Sequence, residues 1–375
     1  MKKTPLYDFH KAKGHMTEYA GFEMPVWYRG PVEEHLAVRK ACGIFDISHM
    51  GRLIITGTDA AAFLDYILTN SCTDLESLVA RQAFLCNSSG GIIDDILMFR
   101  LEKERFMLIV NAVNARKDVK WMEKNVANFD VEIEDVTSDV PMIAIQGPKA
   151  LQILQTLSET NLSALRRFHA AWIPLSNRVV LVSRTGYTGE DGMELYVFQG
   201  KEAGAVVRTL WDGILEAGKG LGIEPCGLAS RDSLRLEAGL CLNGNELNEE
   251  TTPIEAGLKY GVSLDGRRFV GKEALSRQLA KGLDRGRGGF KMLGRGVPRK
   301  GMEIVVDGKR VGLLTSGTFS PLLRIGIGMG YIHPEYSDAG TEISVMIRGR
   351  LIRAEIIKLP FYDEGRYGWR REKNE

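Results

Sequence analysis

A strand, a glycine and a helix with apolar spacing follow one another twice in this chain of 375 residues. The first copy is GRLIITG followed by TDAAAFLDYILTN, and the second is PMIAIQG followed by PKALQILQTLSET. Apolar residues alternate along the strand segments and recur every three or four positions along the helix segments. Two copies are too few for a stacked array, so the pattern predicts two related β-α modules in an α+β protein.

The rest of the chain alternates between the two kinds of pattern and then changes character. A helix is predicted to begin at Pro31, and further strands and helices follow up to a helix near 203–217. From residue 301 the sequence becomes rich in strands, and VDGKRVG carries the Asp-Gly signal of a hairpin. We therefore expect two or three domains, the last of them a small β-barrel.

Composition excludes several classes of protein. The net charge is +1, whereas a dedicated nucleic-acid binder usually has a strong basic excess. No run of 18 apolar residues predicts a membrane span, and the N-terminal lysines precede no apolar signal segment. The five cysteines form no C-x-x-C pair and the six histidines lie apart. We expect a cytoplasmic protein with reduced, packed thiols and no bound metal.

The segment GGIIDDILMF raises a chemical question, because Asp94 and Asp95 interrupt an apolar strand. Burial of a carboxylate is costly unless the group is paired, hydrogen-bonded or neutralised. Neighbours in a strand face opposite sides, so one aspartate could point into a cleft while the other faces solvent or caps a backbone group. The alternative is a turn at a strand end with two solvated carboxylates.

The segment SRTGYTGEDGMELYV predicts a tight glycine-rich loop that leads into a strand. An inward carboxylate at Glu194 would suit a ligand edge with two parallel N–H donors, and Tyr187 offers a face for a flat ring. The alternative is an ordinary hairpin turn. The segment matches neither the P-loop nor the dinucleotide-binding glycine pattern.

Two charged segments also have two interpretations each. One predicted helix carries four charged residues: Arg231, Asp232, Arg235 and Glu237. They form either a surface ion network or a set in which an arginine binds a carboxylate. Residues 267–300 contain eleven lysines and arginines against two acids. That stretch is either a solvated linker or a cationic approach for an anionic partner.

His49 lies in FDISHMG, a loop-like segment with Asp and Ser nearby. No G-x-S-x-G elbow accompanies it, so a hydrolytic triad is not expected. We interpret His49 as a turn histidine with its hydrogen bonds satisfied.

Ten segments in order resemble the glycine cleavage system T-protein, or aminomethyltransferase, family. They are AGFEMPVWY, FDISHMG, GGIIDD, QGP, SRTGYTGEDGMEL, PCGLASRDSLRLEAG, TPIEAGL, FVGKEAL, TSGTFSP and LPFY. The resemblance implies an α+β three-domain cloverleaf, in which two related α/β modules and a C-terminal β-barrel surround a central folate cavity. By analogy, residues 1–50 and 154–278 form the first domain, 51–153 the second and 279–375 the barrel.

The resemblance also implies an activity. Family members transfer the methylene carbon of the aminomethyl group on lipoylated H-protein to tetrahydrofolate, with release of ammonia and formation of 5,10-methylenetetrahydrofolate. Lipoylated H-protein, the other glycine cleavage components and folate are then the partners, without nucleic acid or membrane. Two alternatives share the fold: another tetrahydrofolate-dependent transferase or demethylase, and a non-enzymatic iron–sulfur maturation factor. The chain lacks the K-G-C-[YF]-x-G-Q-E signature of that factor.

Site residues follow from the matching motifs. The catalytic aspartate of the family matches Asp95, where a carboxylate would stabilise positive charge that develops as ammonia leaves. The resemblance assigns Asp94 a supporting structural role. The positions that match folate-binding residues are Glu194, Tyr187, Asn111, Arg231 and Tyr367.

The chain departs from many family members at two positions of the expected pocket wall. Gln82 and Phe168 stand where those members have tyrosines. Each change removes a phenol and with it a stacking or hydrogen-bonding group.

Overall fold

The computed structural model describes residues 1–372 and contains eight α-helices within that range. The predicted helix at Pro31 is confirmed, with Pro31 in the first turn and Glu33 and Glu34 beside it. The helices are α1 (Tyr7–Lys13), α2 (Pro31–Lys40), α3 (Ala60–Ile67), α4 (Ala115–Asn125), α5 (Ala150–Gln155), α6 (Ala203–Gly218), α7 (Leu228–Glu237) and α8 (Lys272–Lys281).

The strands of the first two thirds of the chain are β1 (His15–Tyr19), β2 (Phe22–Trp27), β3 (Cys42–Asp46), β4 (Gly51–Thr56), β5 (Ala80–Cys86), β6 (Ile92–Glu102), β7 (Arg105–Val110), β8 (Glu132–Asp135), β9 (Met142–Gln146), β10 (Ala170–Leu175), β11 (Arg178–Ser183), β12 (Gly192–Tyr196) and β13 (Ile223–Pro225). The later strands are β14 (Gly286–Met292), β15 (Glu303–Val306), β16 (Lys309–Ser320), β17 (Ile325–Ile332), β18 (Glu342–Ile347) and β19 (Arg350–Ile357).

Two open sheets, a hairpin and a barrel organise these strands. One sheet has the order β10-β11-β12-β9-β3-β13, and the other has the order β5-β6-β7-β4-β8. Strands β1 and β2 form a separate antiparallel hairpin. The last six strands close into a barrel in the order β14-β17-β16-β15-β18-β19. The α+β class and the C-terminal barrel predicted from the sequence are both confirmed.

The two predicted β-α modules are present as β4 with α3 and as β9 with α5. They belong to different sheets. Strand β9 lies inside the range expected for the second domain, yet it pairs with β3 and β12 of the six-stranded sheet. The domain division stays a prediction, and this pairing favours an earlier end for the second domain.

Each open sheet buries its own apolar core. Helices α5 and α6 pack on the six-stranded sheet through a cluster that includes Ile153, Val207 and Trp211. Helices α3 and α4 cover the five-stranded sheet through a cluster that includes Phe63 and Met122. Because two cores hold the sheets rigidly, the loops and strand edges between them can position side chains accurately.

The predicted VDGKRVG hairpin joins β15 to β16. Asp307 and Gly308 both have positive φ, at 48° and 75°. A two-residue turn with this backbone matches the twist of the flanking strands, which explains the Asp-Gly signal.

The interpretation of residues 267–300 as a solvated linker is wrong. The stretch contains α8 and β14, and four of its arginines donate to carbonyl groups elsewhere in the fold. Arg267 donates to the carbonyls of Asp65, Leu68 and Thr69. Arg287 donates to the carbonyls of Ala256 and Gly239. These side chains hold the barrel linker against the rest of the chain, which leaves fewer cations for a partner.

The interpretation of helix α7 as the site of a surface ion network is also wrong. Arg235 and Glu237 are almost completely buried. Glu237 accepts hydrogen bonds from His35 at 2.9 Å and Arg39 at 3.0 Å. Arg235 pairs with Glu246 at 2.7 Å. The network therefore belongs to the interior, where it joins α2, α7 and the barrel.

Within residues 1–372, no helix combines the length and the apolar character needed to cross a membrane. The five cysteines are free and buried, as the sequence predicts.

Candidate active site

Strand β6 places the two neighbouring aspartates on opposite faces of the five-stranded sheet. Asp94 is fully buried, whereas Asp95 retains partial exposure. The alternative of two solvated carboxylates is therefore wrong, and the period-two prediction from the sequence is confirmed.

Asp94 is saturated with hydrogen-bond donors. Its Oδ2 accepts the backbone N–H of Asn111 at 2.9 Å. Its Oδ1 accepts Nδ2 of Asn111 at 2.8 Å and Nδ2 of Asn114 at 2.6 Å. This agrees with the expectation that one aspartate caps a backbone group, and the contacts fix the loop between β7 and α4.

Asn111 links the two carboxyls. Its Nδ2 also donates to Oδ1 of Asp95 at 2.8 Å, so both amide hydrogens are directed at aspartates. In this position Asn111 orients Asp95, and its amide nitrogen has no hydrogen left for a ligand.

Burial, together with the nearby charge of Asp94, raises the pKa of Asp95 from 3.8 to about 7. The hydrogen bond from Asn111 and the nearby amide of Asn243 oppose this shift. A carboxyl group with a pKa near 7 exchanges protons readily at physiological pH, which is the property required of an acid–base catalyst.

Tyr187 and Arg231 lie together. The Arg231 guanidinium lies 4.9 Å from the centre of the Tyr187 ring. The Tyr187 hydroxyl donates to the carbonyl of Cys241, two residues before Asn243. Within residues 1–372, the Arg231 guanidinium makes no hydrogen bond to Asp95, so its contact is with Tyr187 and not with Asp95.

Glu194 lies in β12 and is 8% exposed. Its Oε2 accepts the hydroxyls of Thr185 at 2.5 Å and Tyr196 at 3.2 Å. Among the residues that the structure describes, no group donates to Oε1. The inward carboxylate predicted from the sequence is present, and one of its oxygens is available.

Tyr367 has a different environment from the other expected residues. Its ring contacts are with Tyr362, at 6.5 Å between centroids, and with Arg371. The flanking tail binds the loop before β12, because Gly368 donates to Glu190 and Trp369 donates to the carbonyl of Gly189. These contacts connect the tail to the Tyr187 loop and not to Asp95.

The two departures from the family pattern have local partners. Gln82 accepts a hydrogen bond at 3.0 Å from the hydroxyl of Tyr260. Tyr260 is 66% exposed, so it supplies an accessible phenol beside the position where Gln82 lacks one. Phe168 lies under the Arg167 guanidinium at 5.2 Å.

His49 lies in a turn, as expected, but it is not satisfied. It is 2% exposed, and its Nδ1 has no hydrogen-bond partner within residues 1–372. Burial lowers its pKa to about 3, with a further contribution from the charge of Arg231. The ring is therefore neutral at physiological pH, and its edge packs against Tyr19 at 5.5 Å between centroids.

Several site residues escaped sequence reasoning. Asn243 lies close enough to Asp95 to lower its pKa, and it borders a cleft of about 460 Å³ with Ile93 and Lys117. Asn114 and Asp118 surround Asp94. The only local signal was the turn-rich segment LNGNELN, which gives no indication of its distant partner.

A partly exposed carboxyl with a pKa near 7 that accepts a hydrogen bond from an amide is typical of an acid–base site in an enzyme. The comparisons with known proteins identify which one. The model for the GCVT N-terminal domain matches residues 6–266. The model for the glycine cleavage T-protein C-terminal barrel domain matches residues 285–363.

Curated relatives and a solved structure agree with these matches. An aminomethyltransferase of Caldanaerobacter subterraneus is 45% identical over 96% of each chain. Another from Thermoanaerobacter pseudethanolicus is 42% identical over 96% of this chain and 98% of its own length. The crystal structure of glycine cleavage system aminomethyltransferase T from Bartonella henselae is 36% identical and superposes with a TM-score of 0.89, covering 98% of this chain and 99% of that one.

The chain belongs to the glycine cleavage T-protein family and is an aminomethyltransferase. The family resemblance, the fold class and the enzyme class stated from the sequence are thereby confirmed.

Proposed function

We propose that this protein transfers the methylene carbon of an aminomethyl group on lipoylated H-protein to tetrahydrofolate, and that Asp95 is its catalytic residue. The observation that carries the proposal is the environment of Asp95. Its carboxyl is partly exposed, accepts a hydrogen bond from Asn111 at 2.8 Å and has a pKa near 7. Release of ammonia requires proton transfer to nitrogen and leaves an electron-poor carbon, and a single carboxyl of this kind serves both needs.

Glu194 is proposed as the anchor for the pterin edge of folate. A pterin presents adjacent N–H donors, and the available Oε1 of Glu194 would accept one of them. The second contact, at Oε2, competes with the hydroxyls of Thr185 and Tyr196. Thr185 has another partner, because its Oγ1 lies 2.9 Å from the Ser183 hydroxyl. Rotation toward Ser183 would free Oε2 for a bidentate contact.

Tyr187 and Arg231 are proposed to line the same ligand site. The stacked pair presents a flat face and a positive charge, which suit an aromatic ring that carries a carboxylate tail. Asn111 is proposed to act through Asp95, since its two amide hydrogens are already committed. Tyr367 is proposed to support the Tyr187 loop through the C-terminal tail.

We also propose that the protein works in the cytoplasm with lipoylated H-protein and the other glycine cleavage components. Five buried free thiols suit a reducing compartment. The family match supports the choice of partners, because the matching barrel domain is that of a glycine cleavage protein.

The test supplies aminomethyl-loaded H-protein and tetrahydrofolate to the purified enzyme and follows 5,10-methylenetetrahydrofolate and ammonia. We expect both products in equal amounts, and none with unloaded H-protein. Product from sarcosine or dimethylglycine, with none from loaded H-protein, would instead identify a different folate-dependent transferase. Bound folate without product from any of these donors would refute the proposed reaction.

A further inference from the structure

Behind the active-site carboxyl lies a second buried acid that the reaction does not use directly. Asp118 is on α4 and has no exposed surface. Neither carboxyl oxygen of Asp118 accepts a hydrogen bond from any group within residues 1–372. A buried ionised carboxylate without donors is very costly, so its protonation state must be explained.

The neighbour of Asp118 is Asp94. The two carboxyls are in hydrogen-bonding contact. Two ionised carboxylates have no hydrogen to share, so this contact requires a proton on one of them. If Asp118 carries this proton and donates it to Asp94, Asp118 has a hydrogen-bond partner after all.

The surrounding donors decide which acid holds the proton. Asp94 accepts three N–H groups from Asn111 and Asn114, and each of these favours its ionised form. Asp118 accepts none within the described part of the chain. Burial raises the pKa of both acids, but the N–H donors around Asp94 oppose its shift, whereas burial and the adjacent Asp94 raise the pKa of Asp118 to about 10. Asp118 is therefore the neutral member of the pair at physiological pH.

The contact extends to the active site through one side chain. Asn111 donates to Asp94 at 2.8 Å and to Asp95 at 2.8 Å. A continuous hydrogen-bonded series therefore runs from Asp118 through Asp94 and Asn111 to Asp95. The other groups near Asp95 are the amide of Asn243 and the side chains of Tyr187, Cys241 and Tyr260, which are within electrostatic range. Lys117, the neighbour of Asp118 on α4, is within electrostatic range of Asp118.

We propose that Asp118 is a positioning residue that, as a neutral donor to Asp94, holds Asp94 ionised and thereby fixes Asn111 against Asp95. The proposal rests on the proposed role of Asp95, but it also makes a claim about protonation that is independent of activity. Without the donor, Asp94 takes up the proton itself, loses part of its hold on Asn111 and no longer repels the charge of Asp95.

The direct test is infrared difference spectroscopy of the full chain at pH 8. The difference spectrum of wild type minus Asp118→Asn should contain the carbonyl band of one protonated carboxyl group. The spectrum of Asp95→Asn should retain that band. Absence of the band from wild type would overturn the proposal, whatever the outcome of the activity assays. This separates its failure from a failure of the proposed reaction.

A kinetic test examines the link to Asp95. Asp118→Asn keeps a neutral donor and should retain turnover within about threefold, whereas Asp118→Leu should lose about 10- to 100-fold in kcat through misplacement of Asp95. The pH midpoint assigned to Asp95 should fall in Asp118→Leu, because a protonated Asp94 no longer raises it.

The control is Glu123→Leu, an exposed acid on the same helix, which should behave as wild type. Equal loss in Asp118→Asn and Asp118→Leu would contradict a donor role. Unchanged turnover and pH midpoint in a folded Asp118→Leu would also contradict it. If Asp118→Leu does not fold, the infrared test on Asp118→Asn still decides the question.

Discussion

Replacement of Asp95, the proposed catalytic acid, should stabilise this protein at alkaline pH. Burial and the charge of Asp94 raise the pKa of Asp95 from 3.8 to about 7. In an unfolded chain the group ionises near 3.8, so the folded state binds more protons than the unfolded state between the two values. The contribution of Asp95 to stability is therefore complete below pH 3.8 and is lost as the pH rises through 7.

The magnitude follows from the shift. About three pKa units at 1.36 kcal/mol each correspond to roughly 4 kcal/mol that the ionised carboxylate costs the fold above pH 7. Asp95→Asn removes the charge and keeps an oxygen that can accept the hydrogen bond from Asn111. Because the surrounding groups relax around the ionised form, we expect a gain of about 1–4 kcal/mol at pH 8.

The assay is urea unfolding of wild type and Asp95→Asn at pH 5 and pH 8. The difference in unfolding free energy should favour the variant at pH 8 and fall to less than half of that value at pH 5, because pH 5 lies only about one unit above the pKa of the unfolded chain. Asp139→Asn, an exposed acid in the loop before β9, should give no such difference. A variant that is less stable than wild type by the same amount at both pH values would refute the reasoning, since it would mean that ionised Asp95 is well accommodated.

Three further predictions concern binding and packing. Glu194→Gln should weaken tetrahydrofolate binding by roughly 1–3 kcal/mol in calorimetry, because a charge-assisted hydrogen bond is lost. The control Glu132→Gln, at an exposed position, should bind tetrahydrofolate as wild type does. Equal affinities of wild type and Glu194→Gln would mean that the pterin does not bind at Glu194. Glu237→Gln should lower the unfolding free energy by about 3–5 kcal/mol, because it removes the charge that pairs with buried His35 and Arg39, and a loss below about 1 kcal/mol would contradict that. Gly91→Ala should destabilise the protein by about 1–3 kcal/mol in the same unfolding assay, since a Cβ at that position overlaps the Glu249 carbonyl. Gly213→Ala should stabilise the protein by about 0.5–1 kcal/mol, because a Cβ at that position within α6 meets open space.

Local rules accounted for the features that depend on neighbours in sequence. The period of two along β6 predicted that Asp94 and Asp95 face opposite sides, and the Asp-Gly pair predicted the turn between β15 and β16. An inward Glu194 was only one of two interpretations of its segment, and the structure favours it because β12 is buried along its whole length.

Other features depend on contacts between distant segments. Asn243 reaches Asp95 across about 150 residues of sequence, and Asp118 meets Asp94 only because α4 packs on β6. Arg235 and Glu237 look like a solvated helix face in sequence, yet the barrel covers them and their partners come from other elements. Charge spacing alone does not reveal what packs on a helix, so tertiary structure decides these cases.

The most direct test of the central claim is a single turnover with aminomethyl-loaded H-protein and tetrahydrofolate, in which ammonia and 5,10-methylenetetrahydrofolate are measured together. Wild type and Asp139→Asn should form both products at the same rate. Asp95→Asn should be slower by about 10²-fold or more with folate affinity nearly unchanged, because a lost acid–base group raises the barrier rather than weakening binding. Wild-type turnover in a folded Asp95→Asn would contradict the assignment of Asp95 as the catalytic residue.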